Sequence, residues 1–430
     1  MPGRRTLLIA YAVLFTFMGV MAVRRIYTLK TDFDGFWRAG RAVLDGNDPY
    51  QDIPGPDRDR LLIPSLRERD AEASGEEEGE GAGGATESAV KRYLPFFGLF
   101  MAPLALLPMD LACALWHVLS VLALLGSIRR ALRLAGRDGD ITCRAAVVTL
   151  AATGVFWVSS LTMGQIAIVT LWLSLAAADI SRSRPWLGGA LAGLATAIKV
   201  TPGIMAVYFL LKRRTRAAAG AGIAFLLCTA LAIPVWGLPR TVALHRDWLS
   251  ASAATTGVRF FEAGDSFRYA NQSLHAFVAR TFMNVNAGRS RKPFRVNVAD
   301  VAPATAAWIV RLLQIPLGIL FLVLCASRRR GTPVTLPEVG VALALTNFVA
   351  PVAWTFQIVF TLPALLALWE RRADRESRGW LIAALVLQLG IALPATRALG
   401  ALTWSSLAAL LGAWRAGMRE RASTPPVSAG

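Results

Sequence analysis

Apolar residues in this chain gather into long runs separated by short basic stretches. That rhythm matches neither the two-residue alternation of a half-buried strand nor the one-sided stripe of a soluble helix. The runs fall at about Leu7–Val23, Leu111–Ile128, Ala145–Leu161, Ile166–Ile180, Trp186–Lys199 and Pro202–Leu211. They continue at Ala217–Val235, Pro303–Ala326, Leu336–Val352, Trp354–Trp369, Gly379–Pro394 and Leu399–Trp414. The pattern predicts an all-α polytopic membrane protein with about twelve transmembrane helices, given that roughly 20 apolar residues cross a bilayer. Several runs are shorter than that, so half-helices and merged segments are expected among them. Two long polar segments, 24–110 and 236–302, interrupt the series. The end of the first begins Tyr93-Leu94-Pro95-Phe96-Phe97 and is broken again by Pro103 and Pro108. It reads as a helix lying in the membrane interface or re-entering it.

Composition agrees with the pattern. Of 430 residues 55% are hydrophobic and the mean hydropathy is +0.47, too apolar for a soluble protein of this size. The net charge of +18 does not point to nucleic acid, because no soluble basic domain is present to carry it. Much of the charge sits instead in short clusters between apolar runs: Arg129-Arg130 with Arg133, Arg182 with Arg184, Lys212-Arg213-Arg214, Arg328-Arg329-Arg330, Arg371-Arg372, and Arg415, Arg419 and Arg421. Counting crossings puts all of these on one side, where positive charge marks the cytoplasm. Both termini then face the cytoplasm of a cell membrane and the two long loops lie outside. Arg4-Arg5 precede the first run and Arg24-Arg25 follow it without a small-x-small cleavage site, so this helix is expected to stay uncleaved.

Residues 1–421 read as one integral-membrane domain, followed by a disordered tail at 422–430. The stretch Glu68–Glu87 is acidic and free of aromatics, so 68–88 is expected to be a disordered insertion. Cys113, Cys143, Cys228 and Cys325 show no paired spacing and read as small buried hydrophobes. His117, His245 and His275 lie far apart, which argues against a metal centre of His and Cys.

Polar groups at the outer ends of the runs are the candidates for chemistry. Asp32 and Asp34 lie where the chain leaves the first apolar run, as either an ordinary wet acidic loop or a general base at the membrane surface. The outer loops carry many arginines although long loops escape the charge rule, and an anionic phosphate is a natural partner for them. Lys199 ends an apolar run close to membrane depth, where an ionisable group either marks a site or snorkels to the interface. Gln165, after Gly164, is either a helix contact or a ligand group. Trp354 is either an interface anchor or part of a site, with Gln357 just beyond it. Asn271-Gln272-Ser273 also fits the glycosylation-acceptor pattern, which is too common to weigh much.

The order of these motifs resembles glycosyltransferase family 87. They are Asp32-Phe33 near Phe36-Trp37-Arg38-Ala39-Gly40, Gly46-Asn47-Asp48-Pro49-Tyr50, Tyr93-Leu94-Pro95, Gly164-Gln165, Lys199-Val200-Thr201-Pro202 and Asn271-Gln272-Ser273-Leu274. The resemblance covers residues 31 to 360. It implies a GT-C fold and transfer of a hexose, mannose first, from a polyprenyl-phosphate carrier to a lipid or glycan acceptor outside the cytoplasmic membrane. It also implies an aspartate of the first outer loop as base, with Asp32 ranked above Asp34. Lys199 and Arg280 would hold the donor phosphate. Tyr93, Gln165, Asn271, Gln272, Trp354 and Gln357 would hold the sugar or the acceptor. This chemistry requires no cofactor and no metal. The chain departs from the family pattern at Ala167, where Asn is frequent, and at Trp354-Thr355-Phe356-Gln357, where a Trp-x-His-His element is frequent. These departures leave the sugar and lipid open. A transporter or flippase for a lipid-linked sugar is the rival reading, although transporters place their sites near the midplane rather than at outer helix ends.

Overall fold

In the computed structural model, residues 31–50, 93–264, 266–288, 293–326 and 332–423 are described, with several helical positions between 9 and 20. The acidic insertion at 68–88 lies outside the described residues, as do 424–430. Residues 422–423 of the expected tail continue the last helix.

The described residues form helices and no strand, apart from one isolated bridge between Asn271 and Trp354. In chain order these are α1 (Asp32–Leu44), α2 (Phe96–Ala105), α3 (Met109–Leu134), α4 (Arg144–Ala152), α5 (Gly154–Thr162) and α6 (Ala167–Ile180). Next come α7 (Pro185–Ile198), α8 (Ile204–Leu211), α9 (Thr215–Ala230), α10 (Ile233–Ala254), α11 (Gly257–Ala263) and α12 (Leu274–Phe282). The series closes with α13 (Pro303–Cys325), α14 (Leu336–Val349), α15 (Leu362–Glu370), α16 (Arg375–Leu389), α17 (Pro394–Ala398) and α18 (Ala401–Ser423). A helix satisfies its own backbone groups, which an apolar medium demands.

Among the described residues, only α3 and α13 are long and apolar enough to cross a membrane unbroken. The run Ala145–Leu161 divides into α4 and α5, bent by 65° at Thr153. Thr149 and Thr153 each donate a hydroxyl to the carbonyl four residues back, a competing bond of the kind that bends helices. The run that begins at Ala217 stops at Ala230, and α10 leaves at 96° to α9. Pro234, Gly237 (φ +72°) and Pro239 account for the turn and for the kink inside α10. The other apolar helical segments are 10–17 residues long when α8 and α15 are counted with the 3₁₀ turns that precede them.

Burial separates a centre from a periphery. Every residue of α14 from Leu336 to Phe348 is buried, as is α15 from Leu362 to Leu368. A helix that is apolar all round belongs in such a position. By contrast α3 exposes Leu111, Leu115, Val118 and Leu122, while α13 exposes Leu312, Ile315, Ile319 and Leu322. Exposed apolar ridges of this extent mark a surface that meets lipid. Cys113 and Cys325 are buried, Cys143 and Cys228 partly so, and all four are free.

The basic clusters meet at one end of the bundle. Arg130 pairs with Asp179 at 2.7 Å and Arg214 donates to the carbonyls of Ser181 and Thr332, both at 3.0 Å. Arg137 reaches Glu370, Arg419 reaches Asp374, and Arg421 donates to the carbonyls of Val323, Leu324 and Ala326. Arg214 and Arg421 therefore close the carbonyl ends of α6 and α13 as well as carrying charge.

Helices α7 and α9 pack backbone to backbone through small residues. A Cβ at Gly189 would stand 2.1 Å from the Ala217 carbonyl oxygen, and one at Gly193 would stand 2.3 Å from that of Ala221. Substituting valine at Gly189 is expected to force these helices apart, costing about 1–3 kcal/mol by overpacking and lowering the melting temperature in detergent. At Gly222 of α9 a Cβ would meet nothing within 4 Å, so Gly222→Ala is expected to leave the melting temperature unchanged or slightly raised.

Candidate functional site

Helix α1 presents two carboxylates in its first turn, where the helix dipole favours negative charge. Its apolar face buries Phe33 and Phe36. Phe36 meets Phe97 and Tyr93 edge-on at 4.9 and 5.3 Å, and Tyr93 stacks on Phe97 at 4.2 Å. The Tyr93 carbonyl accepts the Tyr50 hydroxyl at 2.8 Å, and Trp37 donates to the Leu107 carbonyl at 3.1 Å. Tyr93, expected to touch sugar or acceptor, is thus part of the aromatic floor beneath α1.

The two aspartates differ in surroundings. Asp34 is buried and accepts from Arg38 through both oxygens, at 2.9 and 3.3 Å. Asp32 is half-buried and accepts from the Gln165 carboxamide. Gln165 reaches it because of the residue before it. Gly164 has φ +65°, and a Cβ there would stand 2.5 Å from Phe33 Cβ. Its carbonyl is held by Trp116 at 2.8 Å. Only a glycine lets this turn approach α1 so closely. The remaining amide oxygen of Gln165 is buried with no hydrogen-bond partner.

Lys199 is the residue on which α7 ends, with extended φ/ψ of −149° and 126°. Its ammonium donates to Gln357 Oε1 at 3.2 Å. Gln357 lies in a buried 3₁₀ turn, Thr355–Thr361, and its Nε2 is buried without a hydrogen-bond partner. Phe33, Ile166, Ala197 and Ile198 share one apolar cluster, so the chain neighbours of Asp32, Gln165 and Lys199 pack together. The three polar groups therefore sit on the rim of a common core, and Gln357 joins them through Lys199. A small cavity behind the turn is lined by Trp116, His117, Ser120, Leu161 and Gly164.

Asn271, Gln272 and Arg280 are placed otherwise. Asn271 Oδ1 accepts from Ser273 N and Ala353 N at 3.0 and 2.9 Å, and Nδ2 donates to the Ser266 carbonyl. Trp354, half-buried, bridges to Asn271 through the backbone. Gln272 donates to the carbonyls of Tyr269 and Arg397 and accepts from Leu402 N. These amides tie the second loop to two later segments. Arg280, in the last turn of α12, is 0% exposed. It donates to the carbonyls of Ala398, Phe267, Arg268 and Asn271 at 2.8–3.1 Å. Burial pulls its guanidinium down to about 9, still protonated at neutral pH. Through Nε and Nη1 the group holds the loop together, while Nη2, the nitrogen left for the expected donor phosphate, is buried with no hydrogen-bond partner. Its position in the last turn of a helix that opens at the Ser273 cap was the signal for such a carbonyl clamp. Arg38, on the buried Asp34, was not anticipated from the sequence.

Two outcomes check this geometry. Gly164→Ala is expected to leave the chain folded while displacing Gln165 from Asp32 and lowering activity at least tenfold; a 1 Å misplacement of a site group is enough for such losses. Arg280→Met is expected to lower stability by about 3 kcal/mol, because four buried carbonyls lose their donor. Thermal melting in detergent measures the second.

Comparison with known proteins bears on the same residues. The model of glycosyltransferase family 87 matches residues 92–350. A polyprenol-phosphate-mannose-dependent α-(1-2)-phosphatidylinositol pentamannoside mannosyltransferase of Mycobacterium tuberculosis is 26% identical over 304 residues, covering 68% of this chain and 63% of that protein. The protein of the same name from Mycolicibacterium smegmatis is 34% identical over 137 residues, covering 31% of this chain and 32% of its own length. An M. tuberculosis α-(1-2)-phosphatidylinositol mannoside mannosyltransferase with the same donor dependence is 27% identical over 304 residues, covering 65% of this chain and 63% of that protein. The chain thus spans less than two thirds of the length of these relatives. No solved structure matches.

Proposed function

This chain belongs to glycosyltransferase family 87, and on that basis we propose that it transfers mannose from a polyprenyl-phosphate carrier to a mannoside acceptor anchored in lipid. The acceptor class follows the names of its relatives, which act on phosphatidylinositol mannosides. The observation that carries the reading is that Asp32, held by Gln165, and Lys199, held by Gln357, are each chain neighbours of residues in one apolar cluster.

In the proposed reaction the acceptor hydroxyl attacks the anomeric carbon as the bond from that carbon to the carrier phosphate oxygen breaks. The hydroxyl proton passes to the Asp32 carboxylate. The electron pair of the broken bond stays on the phosphate, which Lys199 holds in the bound donor and in the departing carrier alike. Gln165 Oε1 and Gln357 Nε2, both buried and open to a partner, receive sugar hydroxyls. Asp34 is committed to Arg38 and supports α1.

The site is proposed to face outward, in a cell membrane crossed about twelve times with both termini in the cytoplasm. The basic clusters at the opposite end of the bundle support this orientation. Membership of a glycosyltransferase family does not favour a transporter for a lipid-linked sugar.

Purified full-length protein in nanodiscs, supplied with polyprenyl-phosphate mannose and a phosphatidylinositol mannoside, tests the reading. Asp32→Asn is expected to lower kcat by about 10²–10³. Asp34→Asn is expected to keep kcat within severalfold of wild type and to melt earlier. Wild-type turnover by both variants would remove the base assignment, and movement of the carrier without product would favour transport.

A further inference from the structure

The two segments that bring Lys199 and Gln357 together are joined a second time, at their far ends. The 3₁₀ turn Thr201–Gly203 and α8 follow directly on Lys199 and stop at Lys212. Helix α14 begins with Glu338 in its first turn and leads through Ala350 and Pro351 to Trp354 and Gln357. At the site end, Lys199 donates to Gln357 at 3.2 Å. At the other end, Lys212 Nζ donates to Glu338 Oε1 at 2.8 Å and the Tyr208 hydroxyl donates to Oε2 at 2.9 Å. Helical rise places the two joints about 20 Å apart.

The far joint is desolvated. Lys212 is 5% exposed and Glu338 2%, and Tyr208 is fully buried. Glu338 also closes a capping box with Thr335, so its carboxylate fixes the start of α14 and the end of α8 together. Between the joints Met205, Tyr208 and Phe209 are 0% exposed, and packed interiors of this kind transmit displacement instead of absorbing it. No step of the proposed transfer uses Lys212, Glu338 or Tyr208. A buried ionic group in a membrane protein is costly and calls for a reason.

We propose that Glu338, acting with Lys212, is a positioning residue for the transfer. It locks Thr201–Leu211 in register with α14 and so holds Lys199 beside Gln357, where the leaving phosphate is received. This rests on the phosphate role given to Lys199 above. Asp32 and Gln165 lie on other elements, so the effect falls on donor binding and not on the base.

The test compares wild type with Glu338→Gln in nanodiscs, reading donor KM, kcat, melting temperature and the rate at which an amine-acylating reagent modifies Lys199, followed by peptide mass spectrometry. The expected result is a donor KM raised about tenfold, kcat within threefold of wild type, and a Lys199 acylation rate changed severalfold. Should Glu338→Gln fail to fold, Tyr208→Phe keeps the ion pair and removes one hydrogen bond; it is expected to shift donor KM and Lys199 acylation two- to threefold in the same directions. Folded variants with wild-type donor KM and wild-type Lys199 acylation overturn the proposal. So does a fall in activity that only tracks the folded fraction. If wild type transfers no sugar, the functional reading fails by itself, and the acylation rate still decides whether Glu338 positions Lys199.

Discussion

The hydrogen bond from Gln165 to Asp32 is the contact on which the rest of the site depends. It joins segments 133 residues apart in sequence and fixes a half-buried carboxylate at the start of α1. The donor is an amide, whose N–H orients the carboxylate by a directional hydrogen bond. Two residues along the same helix, Asp34 shows the alternative: a guanidinium grips both of its oxygens and the carboxylate is committed. A second amide recurs at the cation, where the Gln357 carbonyl oxygen accepts from Lys199. Both amides keep one buried atom without a partner, an arrangement that burial makes costly unless something else binds there.

Much of this architecture was legible in the sequence, because the apolar medium leaves few options. Among the described residues the long apolar runs became helices, several with shifted or divided bounds, and Gly164 before Gln165 was a visible allowance for close approach. The breaks were harder to read. Threonine hydroxyls at 149 and 153 and the cluster Pro234, Gly237 and Pro239 turned apparent single spans into bent pairs. Length alone could not distinguish a kinked crossing from two half-helices.

Site residues divided by a criterion that sequence does not display. Lys199 and Arg280 are both cations at the ends of helices, yet Arg280 donates to three carbonyls of the segment just before its helix and to one, at Ala398, far along the chain. Asn271 and Gln272 look like sugar ligands until the loop backbones that consume their amides are in place. Residue type states what a group can bind; the count of unsatisfied backbone groups around it decides what it does bind. Lys212 was concealed differently, in a basic cluster that already had an explanation as a signal of orientation.

That cluster and its neighbours have a second meaning in the folded chain. Arg214 and Arg421 lie in basic clusters of the kind expected to mark the cytoplasmic side during insertion, and in the folded chain their guanidinium groups close the carbonyl ends of α6 and α13. On the proposed orientation one side chain is read twice, first by the machinery that sets topology and afterwards by the finished bundle, which couples topology to stability. A neutral substitution at either arginine acts on both, and a lysine replacement would keep the insertion signal while losing the fork that caps the helix.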